Sequence, residues 1–223
     1  MDYPEKKSVL AAIVAVIILS SLYMLAFGNP NMGNQSGSVI RVACVGDSIT
    51  QGTYYPSDLQ TLLGDHYAVG NFGLGGSTVL LSTDKPYMYR PVFQNALLYR
   101  PNIVIIMLGT NDATPKNYAK IENFVADYKT LISQFWSSAS QIWLVIPPPI
   151  FEDSLGPNAA NLVQGVIPRI QQVANDLHLS TISVYPLLID HPDFFYDGVH
   201  PTAEGAQVIA NAVYAGLTNS TSS

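Results

Sequence analysis

The stretch VIRVACVGDSIT, residues 39–50, joins an apolar run to a short polar turn. The run Val39–Val45 has the length and the β-branched content of a strand that is buried on both faces. The glycine, aspartate and serine that follow predict a sharp turn at the end of this strand. A serine in such a turn is exposed at the edge of a sheet, and the glycine lets a substrate approach the backbone closely. Cys44, the single cysteine, is predicted to be a buried thiol.

Beyond this stretch, apolar runs of strand length alternate with segments of helical period. This alternation predicts an α/β fold, a parallel sheet with helices on both faces. The predicted strands are Val39–Val45, Tyr67–Phe72, Ile103–Leu108, Ile142–Ile146 and Thr181–Tyr185. The predicted helices are Ser57–Gly64, Val92–Leu98, Tyr118–Ser137, Ala159–Leu177 and Thr202–Thr218. The sequence contains no internal repeat and no sign of a second domain.

The charge of the chain argues against a nucleic-acid partner. The sequence contains ten Lys and Arg residues and 16 Asp and Glu residues, which gives a formal net charge of -6. The basic residues are scattered along the sequence, so they form no run that would follow a phosphate backbone.

The N-terminal segment predicts a membrane anchor. Ser8–Phe27 carries no charge and is almost wholly apolar, and its length matches the ~30 Å hydrocarbon core of a bilayer. Lys6 and Lys7 precede it, so the positive-inside rule places residues 1–7 in the cytoplasm and the rest outside the cell. The alternative is a signal peptide that is cleaved to release a secreted protein, although the run is long for one and lacks a good cleavage site. Residues 28–38 are expected to be a flexible spacer, residues 39–218 the globular domain and residues 219–223 a tail.

Polar residues follow several predicted strands, at the sheet edge where ligands bind in such folds. They form four blocks: Gly46-Asp47-Ser48, the glycine-rich Asn71–Thr78, Gly109–Asp112, and Asp197–His200 before the last helix. Each block alone has an ordinary explanation as a capped turn, a flexible loop, a helix cap or a solvated turn. The glycines match neither a dinucleotide fingerprint nor a Walker loop. Asp197 and His200 could also bind a metal, but a third ligand of suitable spacing is missing.

Taken together and in order, the blocks resemble those of the SGNH (GDSL-type) hydrolase superfamily. The matching residues are Gly46-Asp47-Ser48, Gly76, Gly109-x-Asn111-Asp112 and Asp197-x-x-His200, and they span about residues 39–216. The resemblance implies a three-layer α/β/α, flavodoxin-like domain with a five-stranded parallel sheet. The flanking residues 71–73 and 84–87 are most similar to members that act on acetylated carbohydrates.

The resemblance also implies a serine esterase mechanism. Ser48 is then the nucleophile, His200 its base and Asp197 the group that orients the imidazole. The oxyanion is held by the backbone N–H groups of Ser48 and Gly76 and by the amide of Asn111. Gly73 and Gly75 remain alternatives to Gly76. Asp47 and Asp112 are expected to have structural roles, and no metal or organic cofactor is expected.

For the substrate, we expect short acyl esters, most of all acetyl, on a carbohydrate. Between the blocks there is no additional amphipathic segment that would cover a long acyl chain. The tyrosine pairs Tyr54/Tyr55 and Tyr87/Tyr89 are expected to border the site and to stack on sugar rings, or else to pack against the core. The alternatives are a lysophospholipase or other lipid esterase, and a surface binding module without activity. The sequence does not determine the oligomeric state.

Overall fold

Five parallel strands form the central sheet of the computed structural model, which describes residues 38–136, 139 and 141–219. The sheet order is β2-β1-β3-β4-β5. The strands are β1 (Ile40–Gly46), β2 (Tyr67–Gly73), β3 (Ile103–Met107), β4 (Gln141–Ile146) and β5 (Ser180–Ser183). All five predicted strands are therefore present. The fifth ends earlier than predicted, because Tyr185 begins a helix whose first turn contains Pro186, and proline cannot donate to a strand ladder.

Strand β1 lies inside the sheet and pairs with both β2 and β3. Its alternate residues pack into two separate hydrophobic clusters, with Ala43 and Val45 on one face and Val42 and Cys44 on the other. The prediction of a buried thiol is confirmed: Cys44 is fully buried, and burial raises the pKa of its thiol to about 12.

Helices cover both faces of the sheet, which confirms the three-layer α/β/α architecture. The helices are α1 (Ser48–Gly52), α2 (Tyr55–Leu63), α3 (Pro91–Leu98), α4 (Pro115–Tyr118), α5 (Phe124–Ser133), α6 (Ala159–Asn161), α7 (Ile167–Leu177), α8 (Tyr185–Leu188) and α9 (Ala203–Asn219). Helices α3, α5 and α7 pack on the face of Ala43, and helices α2 and α9 pack on the face of Cys44.

Two predicted helices are interrupted. In place of one helix over Tyr118–Ser137, α4 ends at Tyr118, a 3-10 turn covers Ile121–Asn123, and α5 begins at Phe124. The side chain of Asn117 in α4 donates to the carbonyl of Asn111 at 2.9 Å, so α4 lies near the turn that follows β3. Helix α5 instead packs on the sheet. The predicted helix Ala159–Leu177 contains a π-helical turn, Leu162–Val166. Pro168 follows this turn and lacks the N–H that a regular α-helical bond would need.

The predicted membrane helix Ser8–Phe27 and the segment before it lie outside the described residues, as do all of the spacer except Ser38 and all of the tail except Asn219. In the part of the chain that the structure covers, no helix combines the length and the apolar character needed to cross a bilayer.

Candidate active site

The sheet order reverses between β1 and β3, because the chain passes from β1 to β2 on one side and then to β3 on the other. In open parallel sheets, ligands bind beyond the carboxyl ends of the strands at such a reversal. The turn after β1 contains Ser48, and the turn after β3 contains Asn111. The fold therefore brings two of the predicted blocks to one place.

The turn after β1 places Ser48 at the first position of α1. The Asp47 carboxylate caps this helix, since its Oδ1 accepts a hydrogen bond of 3.0 Å from the N–H of Ile49. Only glycine fits at position 46, because a Cβ there would lie 2.0 Å from Oγ1 of Thr50 and 2.7 Å from the carbonyl oxygen of Met107. Ser48 itself remains half-buried at the edge of the sheet.

Ser48, His200 and Asp197 form a continuous chain of hydrogen bonds. His200 Nε2 lies 2.8 Å from Ser48 Oγ, although the two residues are 152 positions apart in the sequence. On the other side of the ring, His200 Nδ1 lies 2.7 Å from Asp197 Oδ2. The Asp197–His200 loop closes tightly, because Asp197 Oδ1 accepts the N–H of Val199 at 3.0 Å and that of His200 at 2.7 Å. The structure thus brings together all three residues that the sequence predicted for a triad.

The electrostatics of Asp197 suit an orienting carboxylate. Its partial burial raises the pKa, but hydrogen bonds from the backbone and imidazole of His200 and from Val199 outweigh burial and lower the pKa below its ordinary value. An ionised carboxylate at this position favours the tautomer in which His200 Nδ1 carries the proton and donates it to Asp197. This tautomer leaves Nε2 with a lone pair that faces the Ser48 hydroxyl.

Three glycines were candidates for the oxyanion site, and the geometry favours one of them. The N–H of Gly73 donates to Asn71 Oδ1 at 2.9 Å, and the N–H of Gly75 donates to Gln51 Oε1 at 2.7 Å. Within the described part of the chain, the N–H of Gly76 donates to no other group. Gly76 has a φ of +76°, a conformation that other residues rarely adopt.

Asn111 lies on the same side of the site. Its Nδ2 donates one hydrogen bond of 3.1 Å to the carbonyl of Ser77, next to Gly76. An amide NH₂ carries two protons, so one proton fixes the side chain and the other can reach a ligand. The Ser48 N–H lies in the first turn of α1, where a helix has no internal acceptor for it.

Two acidic residues beside the site are fully buried and have structural contacts. Asp112 accepts the N–H of Val79 at 3.0 Å and that of Leu80 at 2.9 Å, so it fixes the chain just after the glycine-rich loop. Burial raises the pKa of Asp47 to about 6 and that of Asp112 to about 7. No three His, Cys, Asp or Glu residues gather as metal ligands among residues 38–136, 139 and 141–219.

The predicted tyrosine pairs divide between core and surface. Tyr55 and Tyr87 are fully buried, so for these two the alternative of packing against the core is confirmed. Tyr87 packs against Phe93 of α3, and its hydroxyl donates to the carbonyl of Phe72 in β2 at 2.6 Å. Tyr54 and Tyr89 are 67% and 62% exposed.

One aromatic residue at the site was missed from the sequence. The ring of Tyr196 stacks on the imidazole of His200, with 5.7 Å between the ring centroids. The available signal was its position directly before Asp197 in the fourth block.

Comparison with known proteins gives a family and several relatives. The model of the GDSL-like lipase/acylhydrolase family matches residues 44–208. An acetylxylan esterase from Xylanibacter ruminicola is 34% identical over 206 residues, covering 80% of this chain and 43% of the relative. The chain therefore spans less than half the length of that relative. An isoamyl acetate-hydrolyzing esterase 1 homolog from Bos taurus is 26% identical, covering 76% of this chain and 78% of the relative.

Solved structures share the fold at lower identity. A lipase/acylhydrolase from Enterococcus faecalis superposes with a TM-score of 0.68 at 20% identity, covering 81% of this chain and 96% of that chain. An acetylxylan esterase from Geobacillus stearothermophilus superposes with a TM-score of 0.63 at 19% identity, covering 82% of this chain and 96% of that chain.

Proposed function

We propose that this chain, which belongs to the GDSL-like lipase/acylhydrolase family, is a carboxylic ester hydrolase that removes short acyl groups, above all acetyl, from carbohydrate. The observation that carries the proposal is the unbroken contact from Ser48 Oγ through the imidazole of His200 to the carboxylate of Asp197. This is the arrangement that acyl transfer through a serine requires.

In the proposed reaction, Ser48 Oγ attacks the ester carbonyl carbon while His200 Nε2 accepts the hydroxyl proton. The carbonyl oxygen becomes an oxyanion that accepts hydrogen bonds from the N–H groups of Ser48 and Gly76 and from the amide of Asn111. The intermediate collapses, the bond to the sugar oxygen breaks, and His200 returns its proton to that oxygen. Water then attacks the acyl-serine by the reverse sequence, which releases the acid and restores Ser48.

The small size of the space beside the site supports a carbohydrate ester rather than a long-chain lipid. Next to Gly76 lies an open cleft of about 250 Å³, whose other lining residues are Asp84, Lys85, Thr114, Lys116 and Asn117. A cleft of this size, below the roughly 300–1,000 Å³ of sites for drug-sized ligands, gives little room for a long acyl chain, whereas the polar groups of its lining residues can bind sugar hydroxyls. The names of the Xylanibacter ruminicola and Geobacillus stearothermophilus relatives also support acetyl removal from a polysaccharide.

The proposal is tested by matched assays on p-nitrophenyl acetate and p-nitrophenyl palmitate, followed by acetate release from acetylated xylo-oligosaccharides. We expect rapid turnover of the acetyl ester and of the oligosaccharides. A rate on palmitate equal to that on acetate would instead indicate a lipid esterase. Failure of Ser48 to react with a fluorophosphonate probe would indicate a binding module without activity.

We also propose that Ser8–Phe27 anchors the protein in the membrane with the catalytic domain outside the cell. The support is the uncharged apolar length of this segment and the preceding Lys6 and Lys7. Protease added to intact cells should cut within residues 28–38 and release an active domain. A domain that is degraded only after permeabilisation would have the opposite orientation, and a mature chain that lacks Ser8–Phe27 would be a secreted protein.

A further inference from the structure

The cleft beside Gly76 carries a positive charge that no carboxylate in the described part of the chain pairs with. Of its lining residues, Lys116 pairs with Asp84 at 2.5 Å between Nζ and Oδ2. Lys85 has no carboxylate within ion-pair distance among the residues that the structure describes. One uncompensated ammonium group therefore faces the cleft in a protein whose formal net charge is -6.

The position of Lys85 is determined by its backbone. Its carbonyl accepts the N–H of Thr78 at 3.0 Å, and Thr78 and Pro86 form a β-bridge. Its side chain lies over Gly76, since a Cβ added to that glycine would lie 3.2 Å from Lys85 Nζ. Gly76 is the proposed oxyanion donor, so the ammonium group lies close to one member of the proposed oxyanion site.

The charge is reinforced, and neutral hydrogen-bonding groups surround it. Lys120 lies near enough to Asp84 to contribute, with Lys116, to the lowered pKa of that carboxylate. Thr114 and Asn117, which also line the cleft, are half-buried. Asn117 donates from Nδ2 to the carbonyl of Asn111, which leaves its Oδ1 for a ligand hydroxyl. Three lysines, Lys85, Lys116 and Lys120, thus lie in this part of the fold.

We propose that this cleft binds the carboxylate of an acidic sugar, so that the preferred substrate is an acetylated carbohydrate that contains uronic acid. The inference rests on the proposed carbohydrate esterase function. The volume of the cleft, about 250 Å³, is below the roughly 300–1,000 Å³ of sites for drug-sized ligands and suits a single sugar ring. Lys85 supplies the charge, and Thr114 and Asn117 supply hydrogen bonds to ring hydroxyls.

The test compares two substrates that differ by one group. Methyl glucopyranoside and methyl glucopyranosiduronate, acetylated at the same ring positions, present CH₂OH or a carboxylate on the same ring. We expect kcat/KM to favour the uronate by about fivefold, the upper range for an exposed charge pair. This ratio should fall towards one in Lys85→Gln, persist in Lys85→Arg and decrease as salt is added.

Lys129→Gln is the matched control, because Lys129 pairs with Asp176 elsewhere on the surface. It should retain the wild-type ratio. A ratio near one in the wild type, or an unchanged ratio in Lys85→Gln, overturns the inference while leaving carbohydrate esterase function in place. Acetate release from neither sugar, with p-nitrophenyl acetate still hydrolysed, contradicts both the inference and the proposed function.

Discussion

The phenol ring of Tyr196 lies nearly parallel to the imidazole of His200, with an angle of 15° between the planes. The backbone joins the two residues as well, since the N–H of Tyr196 donates to the carbonyl of His200 at 3.1 Å. Tyr196 is 69% exposed, so its ring forms an outer cover over one face of the imidazole. This contact limits rotation of the proposed base towards solvent.

Tyr196→Ala is therefore expected to lower kcat by about three- to tenfold, the range that corresponds to one aromatic pair, with little change in KM. Tyr196→Phe should restore kcat, because the ring and not the hydroxyl contacts His200. Steady-state kinetics on p-nitrophenyl acetate measure both variants. If Phe is as impaired as Ala, the hydroxyl matters and the stacking explanation is wrong.

Ser48→Ala should reduce turnover by at least about 10⁴-fold, because it removes the hydroxyl that is proposed to form the acyl-enzyme. The variant should keep its fold, since the half-buried position accepts a methyl group. Circular dichroism and esterase assays on purified protein check both points, and Ser57→Ala, an exposed serine of α2, serves as the control. Residual activity within tenfold of the wild type would exclude Ser48 as the nucleophile.

Asn111→Ala should lower kcat by about 100- to 1,000-fold, the usual effect of removing one oxyanion donor. The substitution also removes the hydrogen bond to the carbonyl of Ser77, so thermal denaturation must accompany the kinetics. Asn95→Ala, at an exposed position of α3, is the matched control. A decrease in kcat of less than tenfold would show that the amide of Asn111 does not contact the oxyanion.

Asp112 should make the free energy of unfolding depend on pH. Burial raises its pKa to about 7 from an ordinary value of 3.8, so the folded state prefers the protonated form. Its stabilising contribution is therefore complete below about pH 4 and is lost as the pH rises through 7. The advantage of the wild type over Asp112→Asn should shrink with rising pH, by at most about 1.4 kcal/mol per pH unit.

Urea denaturation of the wild type and of Asp112→Asn, at several pH values between 5 and 8, measures the difference between their free energies of unfolding. A constant difference in the free energy of unfolding would mean that Asp112 is ionised in the folded protein throughout this range.

Local patterns in the sequence were sufficient to predict the five strands of the sheet and to single out the polar residues that follow them. A strand covered on both faces must be apolar along its whole length, so Val42 to Val45 predicted a strand that the structure confirms as buried. The turn with Ser48 follows from that strand, because glycine and a capping aspartate mark its end. The predicted helix start at Tyr118 and the predicted strand end at Tyr185 were wrong. The contact from Asn117 to Asn111 decides the first boundary, and the proline after Tyr185 decides the second.

Other features of the candidate site depend on contacts between distant parts of the chain, which only the tertiary structure determines. The sequence named Ser48 and His200, but their 2.8 Å contact exists because the sheet reversal and the last loop meet at one edge. Residue spacing favoured Gly76 as the oxyanion donor and kept Gly73 and Gly75 as alternatives. In the structure, the side chains of Asn71 and Gln51 accept the N–H groups of Gly73 and Gly75, which supports Gly76. A hydrogen bond is directional and short, so no periodicity in the sequence can report which of three neighbouring donors remains free.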